Sequence, residues 1–200
     1  MAKSEQRGRM IGPQHATPAQ GFAGIDPGAA GGMALLGDDG TLIDATAIPI
    51  LKAKTSKGRN RTEYDLHAIC STLREWSGEV AWLHFCVELL LPMPHGSKGG
   101  AFANYGRGMA RGWEWLLAGQ GRTFTVVLPQ RWQADMLPRG RVAGGTKAAA
   151  NAAVVGMLGE AADLLKRTTR CRTLDEGMVD AFLIAEWARR QHAAQNGRSS

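Results

Sequence analysis

The chain has 200 residues, 44% of them hydrophobic, which is enough for one core of ordinary size and few for two independent domains. Its formal charge of +6 and pI near 9.6 suggest a polyanionic partner, although a basic pI alone does not identify one. No run of about 18 continuous apolar residues and no N-terminal signal core are present, so we expect a cytoplasmic protein with no membrane partner. Three cysteines without CxxC spacing favour reduced thiols over disulfides or a zinc site.

The two ends differ in composition from the rest of the chain. Residues 1–20 and 191–200 are polar, with too little apolar surface to offset the entropy of ordering, and we predict loose tails there. One domain is therefore expected over residues 21–190.

Short strand-like runs open this domain, at residues 22–26, 32–36 and 41–48. Gly-Asp-Asp-Gly joins the second run to the third and is a strong hairpin signal. An antiparallel meander is predicted.

Helices and strands alternate after the meander. The apolar spacing predicts helices at 63–76, 102–117, 146–158 and 177–190, and a short helix from Pro129. It also predicts a strand at 80–88 and a buried strand at 123–128. Five strands in this order predict an α/β fold, a mixed sheet flanked by helices.

Two acidic residues stand at the ends of predicted strands. Asp26 follows the first strand and precedes Pro27-Gly28, and Glu88 ends the apolar run 80–88. A turn aspartate alone would be unremarkable, but two carboxylates in equivalent positions form a pattern.

A third acid lies on the core-facing side of the last helix. Asp180 shares its face with Leu183, Ile184 and Trp187, and a buried carboxylate needs a partner or a metal. Glu176 lies one turn earlier. Asp175 stands where the helix would be capped, so either residue could be a helix-start acid or part of the cluster.

Carboxylates that converge at one sheet edge repel one another unless cations neutralise them. Magnesium prefers such oxygen ligands and keeps water molecules for chemistry, and manganese could substitute for it. Two ions about 4 Å apart could activate a water and stabilise the leaving oxygen of a phosphodiester. The acids therefore predict a metal-dependent phosphodiesterase.

Five ordered motifs carry a family resemblance. They are GIDPG at 24–28, VE at 87–88 with MPHGSKGGAFANYG downstream, LPQRW at 128–132, GGTKAAA at 144–150 and DEGMVDAFLIA at 175–185. Over about residues 21–190 the chain resembles phage-type RuvC-like Holliday junction resolvases. The resemblance implies a ribonuclease-H-like fold, a homodimer in a bacterial or phage-infected cytoplasm, and divalent metal. It also implies paired nicks in a four-way DNA junction that leave ligatable 5′-phosphate ends.

The resemblance also assigns roles to individual acids. Asp26, Glu88 and Asp180 match the metal-binding acids of the family. A fourth acid is expected three to five residues before the last one, where Asp175 and Glu176 are both candidates and Gly177 occupies the three-residue spacing.

Other positions resemble DNA-contacting and dimer-forming parts of the family. Phe102 matches an aromatic residue that wedges or stacks at the junction centre, unless it is a core residue that starts its helix. The helix from Phe102 to Leu117 resembles the dimerisation helix. Related sequences often carry a lysine where this chain has Gln133, next to LPQRW with its Arg131, so Lys147 is the better candidate for a lysine near the scissile phosphate.

Positive charge concentrates in two runs without an acid. One covers residues 52–61, which we predict to be a loop, and the other contributes Lys98, Arg107 and Arg111. A charge run is often only a solvated face, but runs beside a metal site suit phosphate neutralisation. The DNA-contacting residues expected from these patterns are Lys98, Phe102, Arg107, Arg111, Arg131 and Lys147.

Three rival interpretations remain. A related nuclease could act on another branched or hybrid nucleic acid, or a catalytically silent module could bind DNA junctions. The intact acids argue against the silent module. An actin-like ATPase would need a second nucleotide-binding half, for which the chain is short.

Overall fold

The computed structural model describes residues 20–28, 30–54, 58, 60–89, 111–138, 140 and 142–197. Its main sheet has five strands: β1 (Gln20–Ile25), β2 (Gly32–Gly37), β3 (Leu42–Ala47), β6 (Trp82–Glu88) and β7 (Thr123–Val127). Their order is β3-β2-β1-β6-β7. Strand β1 pairs antiparallel with β2 and parallel with β6, and β6 pairs parallel with β7. A separate antiparallel hairpin joins β4 (Ile50–Lys54) to β5 (Asn60–Tyr64).

Helices cover both faces of this sheet. They are α1 (Leu66–Glu79), α2 (111–119), α3 (Pro129–Met136), α4 (Gly145–Leu158), a 3₁₀ helix (Gly159–Leu165) and α5 (Glu176–Asn196). The structure thus confirms the expected α/β class with a mixed five-stranded sheet flanked by helices, and it confirms the predicted meander and hairpin.

Several element boundaries differ from the sequence predictions. Helix α1 begins at Leu66 instead of residue 63, because Asp65 caps it by accepting a hydrogen bond from the Ala68 amide at 3.0 Å. The chain before Asp65 forms the β4–β5 hairpin, which was wrongly predicted as a loop. Strand β7, predicted as buried, is an edge strand with an exposed Val126.

The last helix is longer than predicted. Helix α5 continues through Asn196, so six residues of the segment expected to be a loose tail, 191–196, are helical. Near its end, Arg189 and Arg190 both donate to Glu186, and Arg189 also donates to the carbonyl of Asp38. The bond to Asp38 fastens the helix to the β2–β3 turn, whereas the bonds to Glu186 lie within the helix.

Apolar side chains fill both faces of the central strands because strand residues alternate between faces. On one side Phe22, Leu36 and Cys86 pack with α3, α4 and α5. On the other side Ile25 and Phe85 pack with α1 and α2. The three cysteines are free thiols.

Helix α5 lies unusually close to the first two strands. A Cβ atom at Gly24 would be 2.0 Å from the carbonyl oxygen of Ala181, and one at Gly177 would be 2.4 Å from that of Ala30. Gly31 and Gly177 form a β-bridge across the same contact. These glycines allow backbone to touch backbone, and they fix the position of α5 against β1.

One segment of the described residues, Gly145–Leu165, is long and apolar enough to cross a membrane by length and composition alone. Such a match is weak evidence, and the segment packs on α5 through buried Val154.

Replacing Gly24 should test the close approach of α5. Gly24→Ala places a methyl group onto the α5 backbone, so we expect the free energy of unfolding to fall by about 3 kcal/mol or more in urea titrations. Gly156→Ala, at an open position within α4, is the control and should leave stability unchanged or raise it by up to about 1 kcal/mol. Equal effects of the two substitutions would contradict the close contact.

Candidate active site

Two carboxylates lie side by side at the carboxyl ends of the central parallel strands. Ile25 of β1 pairs with Val87 of β6, so Asp26 and Glu88 each stand one residue beyond this pair. The turn after Asp26 is fixed by backbone hydrogen bonds, including one from the Asp26 amide to the carbonyl of Gly32 at 3.0 Å. Parallel pairing thus brings together two acids that are 62 residues apart.

Helix α5 supplies the third carboxylate. Asp180 precedes Ala181, whose carbonyl group touches Gly24, two residues before Asp26. The following core-facing residues of α5 are buried, as the sequence predicted. Asp180 is therefore presented from the helix face that rests on the sheet.

Glu88 is buried, Asp26 and Asp180 are partly buried, and the three carboxylates affect one another. Burial, then Glu88, Asp180 and Asp175, raises the pKa of Asp26 to about 8. Burial, then Glu88 and Glu176, raises the pKa of Asp180 to about 7, against an opposing effect of Lys147. Burial also raises the pKa of Glu88. The site thus gathers carboxyl groups where burial and mutual repulsion disfavour their charged forms.

The two candidates for the fourth acid have different partners. Asp175 caps α5 by accepting from the Met178 amide at 3.1 Å, and it forms an ion pair with Arg167. Glu176 is 60% exposed in its side chain and pairs with Lys147 at 2.5 Å. Gly177 has no room for a side chain, because its Cβ position is filled by the backbone of the β1–β2 turn.

The predicted DNA-contacting residues are only partly within the described chain. Lys147 lies in the first turn of α4 and forms an ion pair with Glu176, one of the candidate acids. Arg131 is exposed on α3, and Arg111 pairs with Glu114 on α2 at 2.8 Å. Lys98, Phe102 and Arg107 lie outside the described residues.

Two hydrogen-bonding side chains at the site were missed by the sequence reasoning. The indole nitrogen of Trp132 donates to Glu88 Oε1 at 2.9 Å, and the Tyr64 hydroxyl donates to the carbonyl of Pro27 at 3.0 Å. Trp113 donates in turn to the Tyr64 hydroxyl at 3.3 Å. The tryptophan of LPQRW was visible as a motif residue, but nothing in its spacing indicated a polar role.

The donors at this site suit a hard cation. Asp26, Glu88 and Asp180 offer only oxygen ligands. A divalent ion bound between them would relieve their mutual repulsion. Within the described residues, no three His, Cys, Asp or Glu side chains are grouped closely enough to hold a metal ion as they stand. Ligation therefore requires these side chains to turn towards a common point, and the metal assignment stays a prediction.

Comparisons with known proteins give structural likenesses only. No protein-family model matches the chain, and no curated protein matches it. A structure of Thermus thermophilus RuvC in complex with a Holliday junction substrate has a TM-score of 0.49 and 16% identity, over 86% of this chain and 96% of that one. Another Thermus thermophilus RuvC structure has a TM-score of 0.48 and 19% identity, over 87% and 96% of the two chains. At these values the likeness carries no functional argument.

The raised pKa of Asp26 predicts a pH-dependent stability. Between about pH 4 and pH 8 the metal-free folded state binds more protons at Asp26 than the unfolded chain does, so stability is lost as pH rises through this window. Each pKa unit corresponds to about 1.4 kcal/mol.

We expect urea unfolding in EDTA to give a lower free energy at pH 8 than at pH 5. Asp26→Asn should make this fall smaller, whereas Asp44→Asn, on the far edge strand β3, should not change it. A variant Asp26→Asn with the full wild-type pH dependence would contradict the coupling.

Proposed function

We propose that the chain is a phage-type, RuvC-like endonuclease that resolves four-way DNA junctions by paired, magnesium-dependent nicks. The observation that carries the proposal is the meeting of Asp26, Glu88 and Asp180, from β1, β6 and α5. Burial first, and then the neighbouring carboxylates, raise the pKa of Asp26 there to about 8. Such an arrangement is costly for stability and suits a metal-dependent phosphodiesterase. The five ordered motifs of the sequence support the choice of substrate.

Asp26, Glu88 and Asp180 would hold magnesium or manganese, with Asp175 or Glu176 as the fourth acid. The bound metal would supply an activated water and charge stabilisation for the leaving oxygen of the phosphodiester. Lys147 would exchange its ion pair with Glu176 for the scissile phosphate, where its positive charge favours the transition state.

The β4–β5 hairpin is the proposed DNA-backbone contact. Lys52 and Lys54 are exposed, and alternation places them on the face that carries Tyr64, because Ile50 pairs with Tyr64. Tyr64 reaches the carbonyl of Pro27, next to Asp26. The lysine-bearing face therefore starts at the acidic site and extends away from it, with about 7 Å between successive lysines.

A homodimer is also proposed, since paired nicks need two sites. Helix α2 supports this, because Trp115 is 75% exposed there while Trp113 and Leu117 are buried. A tryptophan this exposed is typical of an interface side chain. The dimer and the cytoplasmic location expected from the sequence stay predictions.

Removing one acid should separate cutting from binding. We expect the wild-type protein with Mg²⁺ to nick a four-way junction symmetrically and to spare a matched linear duplex, with no cutting in EDTA. Asp26→Asn and Asp180→Asn should each lower the cleavage rate by roughly 100-fold or more, because each removes a ligand charge without adding bulk. Gel-shift affinity for the junction should be unchanged or higher.

Asp44→Asn, which changes an exposed acid on β3 away from the site, is the control and should cut normally. If Asp26→Asn still nicks junctions at the wild-type rate, the assignment of the active site is wrong. A wild-type protein that binds junctions but never cuts would indicate the silent DNA-binding module instead.

The hairpin contact predicts a specific salt dependence. Lys52→Ala/Lys54→Ala should weaken junction binding and lower the slope of log affinity against log salt by about one unit per lysine. Arg74→Ala/Arg190→Ala removes the same charge from exposed positions on α1 and on the far half of α5, and should leave the slope nearly unchanged. If the two double variants have equal slopes of log affinity against log salt, the hairpin does not contact the DNA backbone.

A further inference from the structure

Helix α3 is fastened to both elements that carry the buried acids. At one end Trp132 donates to Glu88 at the end of β6, with 2.9 Å between the indole nitrogen and Oε1. At the other end Asp135 accepts from the indole nitrogen of Trp187 on α5 at 2.8 Å. Trp187 stands seven residues after Asp180 and therefore on the same helix face.

We infer that α3 is a bracket that sets the separation of Glu88 and Asp180, and that Trp132 is the positioning residue for Glu88. This inference rests on the proposed metal site, on which Trp132 would act through Glu88 without touching substrate. The LPQRW motif then has a physical role, because its proline starts α3 directly after β7 and its tryptophan reaches the neighbouring strand β6.

The chemistry of the donor suits this role. An indole N–H is an uncharged donor that accepts nothing, so it orients Glu88 without neutralising it, whereas a lysine or arginine at this position would compete with a cation. Within the described residues the bond to Trp132 is the hydrogen bond found for the Glu88 side chain, and it uses Oε1. Oε2 thus remains available for a ligand.

Burial keeps water from replacing either partner of the hydrogen bond between Trp132 and Glu88. Trp132 is 1% exposed and Glu88 is 8% exposed, so neither group can exchange its partner for water without opening the core. A hydrogen bond that fixes the rotamer of a ligating carboxylate typically changes metal affinity by roughly 10–100-fold when it is removed.

The test is a Mn²⁺ titration of the DNA-free protein, followed by the EPR signal of free Mn²⁺. Trp132→Phe keeps the aromatic ring and loses the N–H group, and we expect at least a tenfold weaker Mn²⁺ affinity. Trp76→Phe is the matched control, because Trp76 is 2% exposed and donates to the Asp44 carboxylate at 2.8 Å on the opposite side of the sheet. It should lose similar stability and keep wild-type Mn²⁺ affinity.

A double-mutant cycle separates positioning from general loosening. If Trp132 acts through Glu88, adding Trp132→Phe to Glu88→Gln should cause no further loss of Mn²⁺ affinity. Additive losses, or equal losses from Trp132→Phe and Trp76→Phe, would overturn the inference. Should Trp132→Phe fail to fold, Trp187→Phe tests the other end of the bracket, and unchanged Mn²⁺ affinity there would overturn it.

The proposed function and the bracket fail in different ways. A wild-type protein that neither binds Mn²⁺ nor cuts junctions contradicts the proposed function. A wild-type protein that does both, with full Mn²⁺ affinity in Trp132→Phe, leaves the function intact and removes the positioning role.

Discussion

The contact between the α5 backbone and strand β1 determines where the acidic site forms. At Gly24 the helix comes so close that a single methyl group would collide with the carbonyl oxygen of Ala181. This approach places Asp180 beside the strand ends that carry Asp26 and Glu88. A helix separated from the sheet by ordinary side chains would hold its carboxylate several ångströms farther away.

The short distance between the carboxyl groups has an electrostatic cost, which the packing around the site must offset. Buried carboxylates with raised pKa values destabilise the folded chain when they ionise, so the structure must hold them together by other means. Core packing on both faces of the sheet supplies that support. Neutral groups donate the hydrogen bonds to Glu88 and to the Pro27 carbonyl, so these bonds add no positive charge to the site.

The sequence predicted the parts of the site that follow from periodicity. Strand ends located Asp26 and Glu88, and helical spacing located Asp180 on a buried face. The β4–β5 hairpin was missed because its alternating residues include Lys52, Lys54 and polar partners in place of an apolar face. Trp132 was missed because a tryptophan on an apolar helix face is usually only core, and its hydrogen bond depends on which strand lies next to α3.

The choice between Asp175 and Glu176 could not come from spacing either, because both precede Asp180 at distances that helix geometry permits. Their partners now distinguish them. Asp175 already serves as a helix cap and as the partner of Arg167, so metal ligation would compete with two existing contacts. Metal ligation by Glu176 would break only its exposed ion pair with Lys147, and such exposed pairs typically contribute little to stability. If the proposed metal site exists, the exchange of Lys147 from Glu176 to a phosphate would free Glu176 for the metal at the same moment, and on this ground we expect Glu176 rather than Asp175 to be the fourth acid.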